Sequence, residues 1–126
     1  MSPTVFIVED DNGMVEVYKE ILKLSGFEIA GIALDGEAAL EQLLSIDPEP
    51  DIVIMDHRLP MRSGLDVTRA LLAQRPHMKV LFVSADSSIA EAALTVGAVG
   101  FLRKPFDMHT LVDRLKAASR RDTLLA

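Results

Sequence analysis

Four sets of polar residues stand directly behind apolar runs. Glu9, Asp10 and Asp11 follow Val5–Val8, Asp56 follows Ile52–Met55, Ser84 follows Val80–Val83, and Lys104 stands just past Ala98–Leu102. Carboxylates gathered in one pocket repel one another and stay ionised only beside a compensating cation. Oxygen donors select a hard ion, so Mg²⁺ suits this set better than Zn²⁺, which prefers nitrogen and sulfur. Lys104 would add a fixed positive charge and Ser84 a hydroxyl donor. Carboxylate, metal, ammonium and hydroxyl together suit transfer of a phosphoryl group to a carboxylate nucleophile.

That chemistry requires elements that bring distant residues to one place. The runs Val5–Val8, Ile52–Met55 and Val80–Val83 are continuous rather than alternating, as expected for strands buried on both faces of a parallel sheet. Glu28–Ala33 and Ala98–Leu102 read as two weaker strands. Helical spacing recurs between them. Met14, Val17, Tyr18, Ile21 and Leu22 form one stripe, stopped by Gly26. Ala39, Leu40, Leu43 and Leu44 form a second, with Asp35 as N-cap and Asp47-Pro48 as terminator. Ser63 caps a third, bearing Leu65, Val67, Leu71 and Leu72 and ending before Pro76. Ile89, Ala92, Ala93 and Val96 mark a fourth, ending at Gly97. Asp107 caps a fifth, with Leu111, Val112 and Leu115. Five βα units in succession predict a doubly wound α/β sandwich of the flavodoxin type, with five parallel strands in the order 2-1-3-4-5. Ligands of such sheets bind beyond the carboxyl ends of the strands, where the polar residues fall.

The chain has 126 residues, enough for one domain with a core of its own and too few for two. A 49% hydrophobic content excludes wholesale disorder. Thirteen basic against 19 acidic residues leave a net charge of −6, which excludes a whole-domain footprint for nucleic acid. Cysteine is absent, so there is no disulfide framework and no thiol nucleophile. One tyrosine and no tryptophan argue against a stacking platform for bases. The N-terminus lacks the pattern of a signal peptide, and no apolar run nears the ~20 residues that span a bilayer. A soluble, cytoplasmic protein with no membrane association is expected.

The segments Phe6–Asp11, Asp51–Pro60, Val83–Ala85 and Phe101–Phe106 resemble the receiver domain of two-component response regulators of the chemotaxis-regulator type. Each motif is weak alone; the four in order, each at its strand end, are specific. The resemblance spans residues 4–120 and leaves 121–126 as a tail or the start of a linker. It implies that Asp56 is the phospho-acceptor and that Mg²⁺ (or Mn²⁺) is the cofactor. Asp10 and Asp56 would bind the metal directly, with the backbone carbonyl of Arg58, and Glu9 would bind it through water. Lys104 would pair with the acceptor and then with the phosphoryl group, and its peptide bond to Pro105 would be cis. Ser84 would turn toward the phosphoryl oxygen while Phe101, the switch aromatic, moves inward. The implied partners are a sensor histidine kinase or phosphotransfer protein and an unspecified target or output domain. The implied assembly is a monomer or a weak, phosphorylation-dependent dimer.

Departures from the pattern bear on these expectations. Phe101 stands where a tyrosine is common, so the switch has no hydroxyl. Arg58 would lie over the site and pair with Glu9 or with the phosphoryl group, with Asp86 near the same mouth. The fourth helix, short and alanine-rich, either packs its apolar side on the sheet or shows it to a partner along the α4-β5-α5 face. His57, His77 and His109 read as surface residues. Two other classes stay open. One is a receiver-like interaction module that works without phosphorylation. The other is a small aspartyl-nucleophile phosphatase, which is disfavoured because Arg58 stands where such an enzyme needs a second acid.

Overall fold

The computed structural model describes residues 2–119. The expected residues 121–126, as tail or linker, lie outside them. The elements in order are β1 (Thr4–Val8), α1 (Asn12–Leu24), β2 (Glu28–Ala33), α2 (Gly36–Ser45), β3 (Ile52–Met55) and α3 (Gly64–Gln74). There follow β4 (Val80–Ser84), α4 (Ala90–Thr95), β5 (Gly100–Arg103) and α5 (Met108–Ser119). All strand pairs are parallel, and the sheet order is β2-β1-β3-β4-β5, as the βα succession predicts.

The continuous apolar strands are explained by two cores, one on each face. Val5, Ile7, Ile52, Ile54, Leu81, Val83 and Leu102 point to one side, against Tyr18 and Leu22 of α1 and Leu111 and Leu115 of α5. Phe6, Val8, Val53, Met55, Val80 and Phe82 point to the other, against α2, α3 and α4. Successive strand side chains alternate faces, so a strand covered on both sides has no polar position to give.

The helix boundaries follow local chemistry. Asp11 caps α1 by accepting from the amides of Gly13 and Met14, Asp35 caps α2 through Ala38, and Ser63 caps α3 through Asp66. The Asp107 carboxylate accepts from the His109 amide at the start of α5. Gly26 (φ +84°) and Gly97 (φ +113°) occupy the left-handed region that ends a helix.

Two details differ from expectation. The fourth helical stretch divides into a 3₁₀ turn, Ser87–Ile89, and α4. The Asp86 side chain caps the 3₁₀ turn, whereas α4 itself has no side-chain cap. The fifth strand begins at Gly100 rather than Ala98. The amide of Ala98 is drawn back to the Ala93 carbonyl, which closes the end of α4 before the strand can start.

Candidate functional site

Sheet order places the polar residues together. β1 and β3 are hydrogen-bonded neighbours, so Glu9 and Asp10 emerge beside Asp56. β4 and β5 add Ser84 and Lys104 from the other side. The backbone ties this edge: the Asp56 amide donates to the Val8 carbonyl at 3.1 Å, and the Lys104 amide to the Ser84 carbonyl at 2.9 Å.

Asp56 is buried, with 8% of its surface exposed. One of its oxygens accepts from the His57 amide at 2.8 Å. Its other oxygen, Oδ2, lies 3.7 Å from Lys104 Nζ. Lys104 is closer to Glu9, donating to Oε1 at 2.8 Å, while Glu9 Oε2 accepts from the Asp11 amide at 3.1 Å. Glu9 is only 2% exposed. Desolvation raises its pKa above the ordinary 4.5 although the bonds from Lys104 and Asp11 oppose it. Asp10 is exposed at the mouth. One carboxylate oxygen from each of Glu9, Asp10 and Asp56 lies within 4.8 Å of the others. The donors are all hard oxygens, two of them buried, and their mutual repulsion is relieved on one side by a single ammonium. That set fits a divalent cation of the Mg²⁺ class.

The other expected residues frame the mouth. Ser84 is buried, and its Oγ accepts from the Asp86 amide at 3.1 Å. Phe101 is half-buried on the face of α2, α3 and α4. Arg58 is two residues past Asp56, with its side chain 79% exposed. The expected pairing of Arg58 with Glu9 does not occur. Glu9 is enclosed and taken by Lys104, so the Arg58 guanidinium reaches out to Asp86 Oδ2 at 3.5 Å. Bonds from the Ser88 hydroxyl and amide, ahead of Arg58, hold Asp86 below the usual carboxylate range. His57 departs from its surface reading: it is half-buried, and its Nδ1 has no hydrogen-bond partner among the described residues. The Lys104–Pro105 bond is cis, as the resemblance implies, and so is Asp47–Pro48.

The sequence of matched motifs now has its geometry. A family model, that of the response regulator receiver domain, matches residues 5–116. The chain belongs to this family. Over 122 residues the receiver is 38% identical to the transcriptional regulatory protein PrrA of Mycobacterium tuberculosis, covering 95% of this chain and 51% of PrrA. It spans about half the length of such curated relatives. It is also 32% identical over 122 residues to the chemotaxis protein CheY of Thermotoga maritima, covering 95% of this chain and 100% of CheY. Among solved structures it is similar to a chain of the CheX–CheY–BeF₃–Mg complex of Borrelia burgdorferi. There the TM-score is 0.88 at 26% identity, with 94% of this chain and 90% of that one covered.

Two residues that shape the site escaped the sequence reading. A Cβ on Gly64 would stand 2.1 Å from the Asp56 carbonyl oxygen, and one on Gly36 2.2 Å from that of Arg62. These glycines let α3 and α2 close on the loop that carries Asp56. The position of Gly64 behind the Ser63 cap was the available signal, but a cap does not reveal what the next residue touches. No helix among the described residues is long and apolar enough to cross a membrane.

Proposed function

We propose that the receiver accepts a phosphoryl group on Asp56 from a phosphohistidine of a sensor histidine kinase or phosphotransfer protein. The observation that carries this reading is the placement of Asp56: buried at the end of β3, with Glu9 and Asp10 oxygens within 4.8 Å and Lys104 Nζ at 3.7 Å. An Asp56 carboxylate oxygen attacks phosphorus, the P–N bond breaks, and its electron pair stays on the histidine nitrogen. Asp10, Asp56, the Arg58 carbonyl and, through water, Glu9 would hold Mg²⁺ or Mn²⁺, which when bound neutralises charge developing on the phosphoryl oxygens. Lys104 needs only a short swing from Glu9 to meet an oxygen on the modified Asp56. The Ser84 hydroxyl, now accepting from Asp86, has its proton free to donate to a second oxygen. Phe101 then moves inward and the α4-β5-α5 face changes.

The receiver proper is residues 4–120, with 121–126 a tail or linker start. The half-length match to PrrA supports an output domain as the recipient of the signal, in a cytoplasmic protein that is monomeric or weakly dimeric when phosphorylated. The domain itself makes no nucleic-acid contact, consistent with its net charge of −6.

Incubation with acetyl phosphate and Mg²⁺ tests the reading. The wild type gains one hydroxylamine-labile phosphate by intact mass, and Asp56→Asn gains none. A wild type that stays unmodified, or an Asp56→Asn that is still modified, overturns it.

A further inference from the structure

We propose that Tyr18 is a positioning residue for Lys104, acting through its stack on Phe106. The inference rests on the phospho-acceptor reading above and adds a residue that stands at no strand end. Tyr18 is the chain's single tyrosine and is fully buried on the inner face of α1. Its hydroxyl has no hydrogen-bond partner among the described residues. Burial, with the charges of Glu9 and Asp56, pushes the phenol above its ordinary 10.0, so it stays neutral. Buried polar groups are ordinarily partnered, so the hydroxyl does not account for the aromatic here. The ring does. It lies 5.9 Å from the Phe106 ring at 10°, an offset stack.

Phe106 stands two residues beyond Lys104, with Pro105 between. The tripeptide is anchored at both ends. The Lys104 amide bonds the Ser84 carbonyl at 2.9 Å on β4, and the Phe106 ring rests on α1. From this span the ammonium reaches Glu9 at 2.8 Å and Asp56 at 3.7 Å. A lysine stem has several rotatable bonds and does not place its own head group. Met14 and Val17 of α1 line the same groove as Lys104, Pro105 and Phe106, so α1 walls the stem as well. Loss of the stack leaves the span tied to β4, with its far end free to shift and the ammonium free to leave the gap between Glu9 and Asp56.

The test uses the ammonium NMR signal of Lys104, the rate of phosphorylation by acetyl phosphate at saturating Mg²⁺, and Mg²⁺ affinity. Tyr18→Phe keeps the ring and matches the wild type in all three. In Tyr18→Leu, and in Phe106→Leu should the first fail to fold, the Lys104 signal is lost to fast exchange. Phosphorylation slows about fivefold to tenfold, while Mg²⁺ affinity stays within about twofold, since the residues that would hold the metal, Asp10, Asp56 and the Arg58 carbonyl, lie outside the Lys104–Phe106 span. Leucine variants that retain both signal and rate overturn the proposal. So does a Mg²⁺ affinity that falls in step with the rate, which marks general loosening, or a Tyr18→Phe as slow as the leucine variants, which assigns the role to the hydroxyl. A wild type that takes no phosphate sinks the acceptor reading instead, and the ammonium signal still decides the role of Tyr18.

Discussion

The two ends of the sheet each carry a charge cluster, and they differ in how much water reaches them. At the carboxyl end, Glu9 is 2% exposed and its partner Lys104 20%. At the amino end, Glu49 sits between Arg75, at 3.2 Å, and His77, with side chains 33%, 35% and 67% exposed. Arg75 also donates to the Leu44 carbonyl at 2.9 Å, tying the α3–β4 connection to the end of α2. The residue types are similar; the surroundings are not. An enclosed pair answers for the desolvation of both charges, so removing one partner strands the other. A wet pair trades one solvated state for another and contributes little. Only the first kind can make a neighbour's charge state matter, which is what a switch needs.

The largest effect expected at the carboxyl end comes from a residue with no charge. The Cβ of Gly64→Ala would fall 2.1 Å from the Asp56 carbonyl and 2.9 Å from His57 Cα, both backbone. Backbone cannot rotate away as a side chain can, so the loop bearing Asp56 must move. A loss of about 3 kcal/mol is expected in urea unfolding, at the upper end of overpacking costs, together with weaker Mg²⁺ binding. A near-neutral Gly64→Ala breaks the view that the Asp56 loop is held by close approach.

Next comes Lys104→Met, which leaves Glu9 enclosed without its cation. A loss of about 2 kcal/mol at neutral pH is expected in urea unfolding, below the range for a fully enclosed pair because Lys104 is 20% exposed. The sign of the pH dependence follows from Glu9. Its folded pKa already lies above 4.5, and removing Lys104 removes an influence that lowers it. The folded state then holds more protons than the unfolded state between those values, so stability falls as pH rises through the folded pKa. Acidification toward 4.5 therefore recovers part of the loss in Lys104→Met. A loss independent of pH disconnects Lys104 from Glu9.

What the sequence made legible was set by local rules. The apolar runs gave away strands because both sheet faces are covered, and Asp35 and Ser63 were legible as caps because a cap needs only the next three residues. Strand order then gathered Glu9, Asp10, Asp56, Ser84 and Lys104 without further information. Partner choice was not legible, because it depends on distances between loops. Lys104 sits nearer Glu9, at 2.8 Å, than Asp56, at 3.7 Å, and Arg58 pairs with Asp86. The Tyr18–Phe106 stack joins residues far apart in the chain, and helical spacing alone marks Tyr18 as ordinary core. The split of the fourth helix followed from Asp86 capping a 3₁₀ turn, a choice that turn chemistry allows but does not demand.

The smallest effect is expected at the amino end, and it is the sharper control. Glu49→Gln removes the carboxylate shared by Arg75 and His77 while keeping its size. Arg75 retains the Leu44 carbonyl, and Arg75 and His77 both keep access to water, so no charge is stranded. A loss of about 0.5 kcal/mol is expected in urea unfolding. Such a loss should fade as salt is raised, because exposed pairs are screened over a Debye length of about 10 Å at 0.1 M. The loss in Lys104→Met should persist in the same salt series, since ions do not reach an enclosed glutamate. Running the two titrations side by side separates burial from residue type as the cause. A Glu49→Gln loss as large and as salt-resistant as that of Lys104→Met would mean that the amino-end cluster holds α2 and α3 together far more tightly than its exposure allows.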